Sequence, residues 1–524
     1  MLTLREQSYD WAINHALNLG DTDVFPAPFE YQALKHDWDA VKAQLLGENI
    51  MDWDTRPARA LLSPKAKYGF RTITQLDPLD FLIYSALIYE IADELESRRV
   101  PIQDEIVFSY RVNSSEEGQL FDPNIGYRQY LDKCRSKLAA APTSTFVAVS
   151  DISDFYSRIY HHRLENALRA ATTNSNHISA IMRLLSGWNG TETFGIPVGS
   201  APSRILAEIT LADVDEAMLA NGIDFVRFND DYRIFSNTQT EAYQHIAFLA
   251  ETLFRNHGLS LQQQKTEMLS ANNFKHKYLA TPLDREMDSL HEKFQALIEE
   301  LGMESWYEEI DYDDLDKEQQ ELIDTLNLGE LLREEAESDE PDIPVVKFCL
   351  RRLGQLGDDG AVEDIFTNLE SLIPAFVDII QYFKSLRFLN DTSRSELGAR
   401  LLALLQDSMV SELAYHRMWI MHVFTESREW DNEGRFVGLY NQEVDQACKR
   451  KLILAMGRSE QRHWFQSQWR TLFEHPHWQR RAVLLSASCM PADARRHWYR
   501  SVEPRLDLLE RAITRWARAN PFSP

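Results

Sequence analysis

Phe225-Val226-Arg227-Phe228-Asn229-Asp230-Asp231-Tyr232-Arg233-Ile234-Phe235 is the stretch on which the reading of this chain turns. Two short runs rich in aromatic and β-branched residues flank Asn229-Asp230-Asp231, and Asn and Asp favour the tight turn of a β-hairpin. The spacing predicts two antiparallel strands with adjacent carboxylates at their tip. Upstream, Phe146-Val147-Ala148-Val149-Ser150-Asp151-Ile152 is a short β-rich run ending in a third carboxylate, followed by a helical pattern over 155–168. Asp151 is expected at the C-terminal edge of a buried strand. Packing like charges together costs energy unless a cation compensates, so a hairpin Asp pair beside a strand-end Asp invites a divalent metal. Magnesium suits hard oxygen ligands. Three carboxylates around two Mg2+ ions can activate a 3′-hydroxyl and steady a departing pyrophosphate during in-line phosphoryl transfer. Taken singly, Asp230-Asp231 also reads as a solvated turn and Asp151 as a helix N-cap. The metal reading rests on their combination with the motifs below.

The chain has 524 residues, room for roughly two to four domains, and its 44% apolar and 11% aromatic content excludes a disordered or collagen-like protein. Apolar runs such as 81–88 fall short of the roughly 18 residues a membrane span needs, and Met1-Leu2-Thr3-Leu4-Arg5 opens no signal peptide. A cytoplasmic protein with no membrane partner is expected. Cys134, Cys349, Cys448 and Cys489 lie far apart without metal-ligand spacing, which predicts reduced, buried thiols. The formal charge of -26 argues against a nucleic-acid partner until its distribution is considered. Residues 284–342 hold 23 acidic and 4 basic side chains, a net -19, which leaves only -7 for the remainder. Residues 461–524 carry 11 Arg against 5 acidic residues, interleaved with Trp464, Trp469, Trp478, Trp498 and Trp516. That tail either faces phosphate or buries its Trp residues as core beneath a solvated basic face.

Past the acidic stretch, apolar residues recur at three and four over 345–356, 362–388, 396–405, 412–424, 444–456, 464–473 and 478–488. Gly357-Asp358-Asp359-Gly360, Asn390-Asp391-Thr392 and His475-Pro476 supply breaks. Segments of this length suggest stacked helix pairs similar to a HEAT-type solenoid.

Four motifs in order resemble the reverse transcriptases: Asp151-Ile152-Ser153-Asp154-Phe155-Tyr156; the loop and helix from Gly195-Ile196-Pro197-Val198-Gly199 to Glu208; Phe228-Asn229-Asp230-Asp231; and His257-Gly258-Leu259-Ser260-Leu261 with Lys265-Thr266. The resemblance covers about 58–283. It implies an α+β chain, with reverse-transcriptase fingers and palm in 1–283, an acidic connecting segment over 284–342, and an all-α HEAT-like repeat domain over 343–524. It also implies that Asp151, Asp230 and Asp231 are catalytic and hold two Mg2+ ions, with the backbone carbonyl of Ile152 as a further ligand. Tyr156 matches the steric gate that disfavours a 2′-hydroxyl, so deoxynucleoside triphosphates are the implied substrates. Gly199 would lie beside the incoming nucleotide, where glycine permits close approach. The run from Lys65 through Lys67 to Arg71 is similar to the basic fingers motif, and Ser109-Tyr110-Arg111 to the second one. Arg71 is the leading phosphate contact because guanidinium binds phosphate bidentately. Lys265 would neutralise or protonate the departing pyrophosphate. The same basic residues also read as ordinary surface residues.

Pro197-Val198-Gly199, Ser203-Arg204 and Phe228 depart from the group II intron and retron pattern. With the long helical half, they resemble the abortive-infection reverse transcriptases of bacterial antiphage defence, of the prophage-encoded type. That resemblance implies template-independent, protein-primed DNA synthesis, a DNA product covalently attached to the enzyme, homo-oligomers, and a phage or host trigger. The priming residue would be one of 19 tyrosines, and the sequence does not choose among them. Two alternatives stand beside this reading. One is a conventional RNA-templated reverse transcriptase of a retron or intron-like element, and the other a non-catalytic scaffold binding a phage or host protein through the helical repeats.

Overall fold

A computed structural model of the chain describes residues 1–66, 69–142, 144–279, 317, 320, 327–338, 341–386, 389–406, 408–430 and 434–522. Among these, β1 (Arg59–Ala66) and β2 (Gly69–Gln75) pair as a small sheet. A second sheet joins β3 (Phe146–Asp151), β4 (Asp224–Phe228), β5 (Asp231–Ser236) and β6 (Glu267–Ser270) in the order β4-β5-β3-β6. The chain divides into two units. The first comprises Met1–Phe25, Leu46–Ala58 and Thr74–Thr325, and the second Pro26–Leu45, Arg59–Ile73 and Leu326–Pro524.

The four-stranded sheet organises the first unit. Its strands alternate faces, as pleating requires. Val147, Val149, Val226, Phe228 and Phe235 bury one face against Tyr127, Tyr130, Leu131, Cys134 and Leu138 of the helix Tyr127–Ala140. The helix Gln239–His257 packs on β3 and β5. Val107 bridges Arg227 in parallel along β4, which pairs the outer edge of the sheet. The helical pattern over 155–168 splits into Phe155–Arg158 and His161–Ala171. Tyr160 between them pairs with Phe194, and the Gly195 amide donates to the Ile159 carbonyl at 2.8 Å, so this backbone serves a partner strand rather than a helix.

In the second unit the expected helices form, several of them capped by the side chains of Asp342, Asn390, Asp445 and Asp507. The pattern over 362–388 is interrupted by a 3-10 turn at Ile373–Ala375, where Pro374 cannot continue a preceding helix. Helices Ile343–Leu356, Phe376–Ser385, Ala414–Glu426, Gln446–Arg458, His477–Ser486 and Leu508–Ala519 pack each against the next in series. Two N-terminal segments belong to this stack. The helix Glu30–His36 meets Leu508–Ala519, and β1 meets Ala414–Glu426. Buried Glu30 accepts from Arg450 at 2.6 Å, and Asp37 accepts from Arg515 at 2.6 Å. All four cysteines are buried with free thiols. No helix among the described residues is long and apolar enough to cross a membrane. Most of the acidic segment 284–342, and Lys67, lie outside the described residues.

Candidate active site

Asp151 and Asp231 face each other as direct partners in the β3–β5 register. Asp230 precedes Asp231 and occupies the turn between β4 and β5, and its carbonyl accepts from the Ile152 amide at 3.2 Å. Asp231 is thus the first residue of β5 rather than part of the turn. The turn opens with Asn229 at φ +54°, a left-handed conformation that Asn tolerates better than most residues. Withdrawal from water, then the charges of Asp151 and Asp231, push the Asp230 carboxyl up to about 7. The other side of Asp151 is closed by residues 260–262, where the Gln262 amide donates to the Asp151 carbonyl at 2.7 Å. A 3-10 turn at Gln263–Lys265 then brings the Lys265 ammonium to 3.5 Å from the Asp151 carboxylate.

Asn229 is the hub of this arrangement, where the sequence reading gave it only a place in the turn. Its side-chain amide donates to Asp230 at 2.8 Å and accepts from the Tyr156 hydroxyl at 3.4 Å. Its backbone amide donates to Ser109 Oγ at 2.7 Å, and its carbonyl accepts from Arg227 at 2.7 Å. Beneath it lies a buried ionic network. Glu208 accepts from Ser109 at 2.5 Å and from Arg99 at 2.6 Å, and Arg227 forks onto Asp215 at 2.9 and 2.6 Å. Arg111, in the stretch similar to the second fingers motif, is buried here and pairs with Glu96. The visible signal was a charged residue inside each apolar strand, Arg227 in β4 and Arg233 in β5. Arg233 pairs with Asp231, whose second oxygen accepts from the Tyr130 hydroxyl at 3.3 Å.

Tyr156 is buried, and its carbonyl accepts from the Ile196 amide at 3.0 Å, tying this residue to the 195–200 loop. In that loop Gly199 has φ +102°, and a Cβ there would meet Thr22 Oγ1 at 2.5 Å. The close approach this glycine allows is made by the N-terminal segment. Arg204 anchors the same segment through Asp23 at 2.9 Å. Lys65 and Arg71 fall in the second unit. Among the described residues, the His and carboxylate set whose ligand atoms all lie within 4.8 Å of one another is His477, Asp507 and Glu510. Asp507 and Glu510 there cap a helix, and Arg480 occupies Glu510 at 3.1 Å. Asp151, Asp230 and Asp231 do not form such a set, and Asp231 is engaged by Arg233 and Tyr130.

Comparison with curated proteins finds no match. Among solved structures, the chain is similar to telomerase from Candida albicans in complex with a TWJ fragment of telomeric RNA (12% identity, 80% of this chain and 72% of that one, TM-score 0.30). It is also similar to apo telomerase from Candida tropicalis (11% identity, 74% and 73% covered, TM-score 0.32). Residues 94–312 match the family model of reverse transcriptase (RNA-dependent DNA polymerase). The three aspartates, Tyr156 and the supporting network all fall within that stretch, which is a reverse-transcriptase domain of polymerase type.

Proposed function

We propose that the chain is a Mg2+-dependent DNA polymerase that acts in antiphage abortive infection, joining deoxynucleotides without a template onto a hydroxyl of the protein itself. The observation that carries the polymerase reading is the register Asp151 to Asp231 with Asp230 in the adjoining turn and Lys265 against Asp151. An all-oxygen donor set in which burial and then neighbouring charges raise the Asp230 carboxyl fits a hard divalent cation. Asp151, Asp230 and Asp231, with the Ile152 carbonyl, would hold two Mg2+ ions, and Asp231 would exchange Arg233 for metal. When bound, the ions neutralise charge at the phosphoryl group being transferred. The protein side supplies the rest. Asn229 orients Asp230, Tyr156 stands where a sugar would pack, and Lys265 can move a proton to a departing oxyanion. The untemplated, protein-primed and homo-oligomeric aspects rest on Pro197-Val198-Gly199, Ser203-Arg204, Phe228 and the long helical half.

The test is incubation of the purified full chain with dNTPs and Mg2+ but no template or primer. DNA that grows covalently on the protein, and is lost in Asp151→Asn and Asp230→Asn, is the expected result. The description of the matched family favours one second reading, RNA-templated synthesis, and strict dependence on added RNA would establish it instead. Phage protection that survives Asp230→Asn would leave only the scaffold reading.

A further inference from the structure

Arg233 stands in β5 two residues after Asp231, on the same face of the sheet, and is only 2% exposed. Its guanidinium pairs with Asp231 through Nη1. Its Nε is buried and has no hydrogen-bond acceptor among the described residues. The rings of Tyr130 and Tyr278 flank it, with centroids 5.8 and 4.8 Å from the guanidinium carbon.

On the far side of β3 the sheet sets a second carboxylate beside it. Val149 is the register partner of Arg233 on β5 and of Glu267 on β6, so the three side chains line up across one face. Two strand spacings, about 9.6 Å, part the backbones of Arg233 and Glu267, a span that these two long side chains close between them. Tyr278 already joins the pair, because its hydroxyl donates to Glu267 while its ring lies against Arg233. Glu267 also accepts from Lys277 at 2.7 and 2.9 Å, and the Lys277 side chain is 55% exposed. Against partial burial, hydrogen bonds from Lys277 and Tyr278 and then the charges of Lys277 and Arg233 hold the Glu267 carboxyl below its ordinary value.

Taking the anionic partner from a buried guanidinium is strongly destabilising, because the charge stays out of water with its desolvation uncompensated. We propose that Arg233 is the resident counter-ion of the metal-free site and a positioning residue for metal: when Asp231 turns to a divalent cation, the guanidinium crosses Val149 to Glu267, and Lys277 gives up that carboxylate for water. This rests on the reading of Asp231 as a metal ligand. In the metal-free chain Arg233 offsets the repulsion among three neighbouring aspartates. After the exchange Glu267 holds Arg233, so the buried guanidinium keeps an anionic partner in both states. Glu267 thus sets how readily the aspartates load metal without touching it.

The full chain, stripped with EDTA, is titrated with Mn2+, a stand-in for Mg2+ that takes the same oxygen ligands and whose free form is read by electron paramagnetic resonance. The wild type should bind Mn2+, and Asp230→Asn should bind it far more weakly. Glu267→Gln should weaken binding about tenfold, and Arg233→Met should tighten it about tenfold. With Arg233 already removed, Glu267→Gln should cost less than about twofold more, a coupling that a purely structural role would not produce. Lys277→Met, which frees Glu267, should tighten wild-type binding about two- to fivefold and have no effect in Glu267→Gln. Should Arg233→Met fail to fold, the comparison of Lys277→Met in the two backgrounds decides. Three results would overturn the proposal and leave the metal reading intact: Glu267→Gln binding as the wild type does, a loss undiminished in Arg233→Met, or tightening by Lys277→Met that persists in Glu267→Gln. A wild type that binds no Mn2+, or Asp230→Asn binding it as tightly, would overturn both.

Discussion

Removing one hydroxyl, in Ser109→Ala, should loosen the turn that carries Asp230. Ser109 Oγ accepts from the Asn229 amide at 2.7 Å and donates to Glu208 at 2.5 Å, with both partners buried. The variant strands a buried N–H and takes a charge-assisted bond from a carboxylate, each worth about 1–3 kcal/mol, so a local cost of about 3 kcal/mol is expected. That raises the opening constant of the turn about a hundredfold. The Ile152 amide reports it, because its acceptor is the Asp230 carbonyl, so native-state hydrogen exchange at Ile152 should quicken by that factor while the helix Tyr127–Ala140 keeps its protection. In the polymerisation assay kcat should fall about tenfold or more with little change in KM, as misplacement of the proposed metal ligand Asp230 predicts. Combined with Glu208→Gln, the two losses should fall well short of additivity. Wild-type exchange at Ile152, or fully additive losses, would refute the idea that Ser109 acts through Glu208 and Asn229.

His416 is fully buried against Phe376, with ring centroids 4.5 Å apart, and burial lowers its pKa from the ordinary 6.5 to about 4. Below pH 6.5 the unfolded chain takes a proton that the folded chain refuses, so stability is full above that pH and declines until about pH 4. The loss at this residue is about 3 kcal/mol. His416→Phe should flatten that part of a denaturation profile measured from pH 7.5 to 5. Gly199→Ala should cost about 1–3 kcal/mol by strain at φ +102° and a clash with Thr22, and limited proteolysis should then cut the N-terminal segment sooner. Tyr156→Ala should raise incorporation of ribonucleotides relative to deoxynucleotides by about tenfold or more, measured with matched triphosphates, since a missing steric contact is worth about 1–3 kcal/mol.

The central hairpin was legible because its signals are local: β-rich runs, a turn dipeptide and a strand ending in Asp151. Motif order assigned Lys265 to the departing pyrophosphate, and its pairing with Asp151 came only with the fold. The network under Asn229 was not legible, since Glu208 and Ser109 are 99 residues apart and their pairing exists only in the folded sheet. For the same reason the pattern over 155–168 concealed its break at Tyr160, whose partner Phe194 is remote. Arg111 illustrates the limit of residue type as a guide, for a guanidinium suited to phosphate is spent on Glu96. The grouping of 26–45 and 59–73 with the helical residues left no trace in composition, because long-range packing alone creates it.

That grouping has a consequence for the nascent chain. Leu34, Val41, Leu45 and Ile73 are buried in the finished protein, yet the helices that complete their unit leave the ribosome last. At bacterial or eukaryotic translation speeds they wait roughly 20–90 s for those partners, long enough for a holdase chaperone to occupy them. Severing the gene near residue 283 would make that wait permanent, and the amino-terminal fragment should be found bound to chaperones or in inclusion bodies.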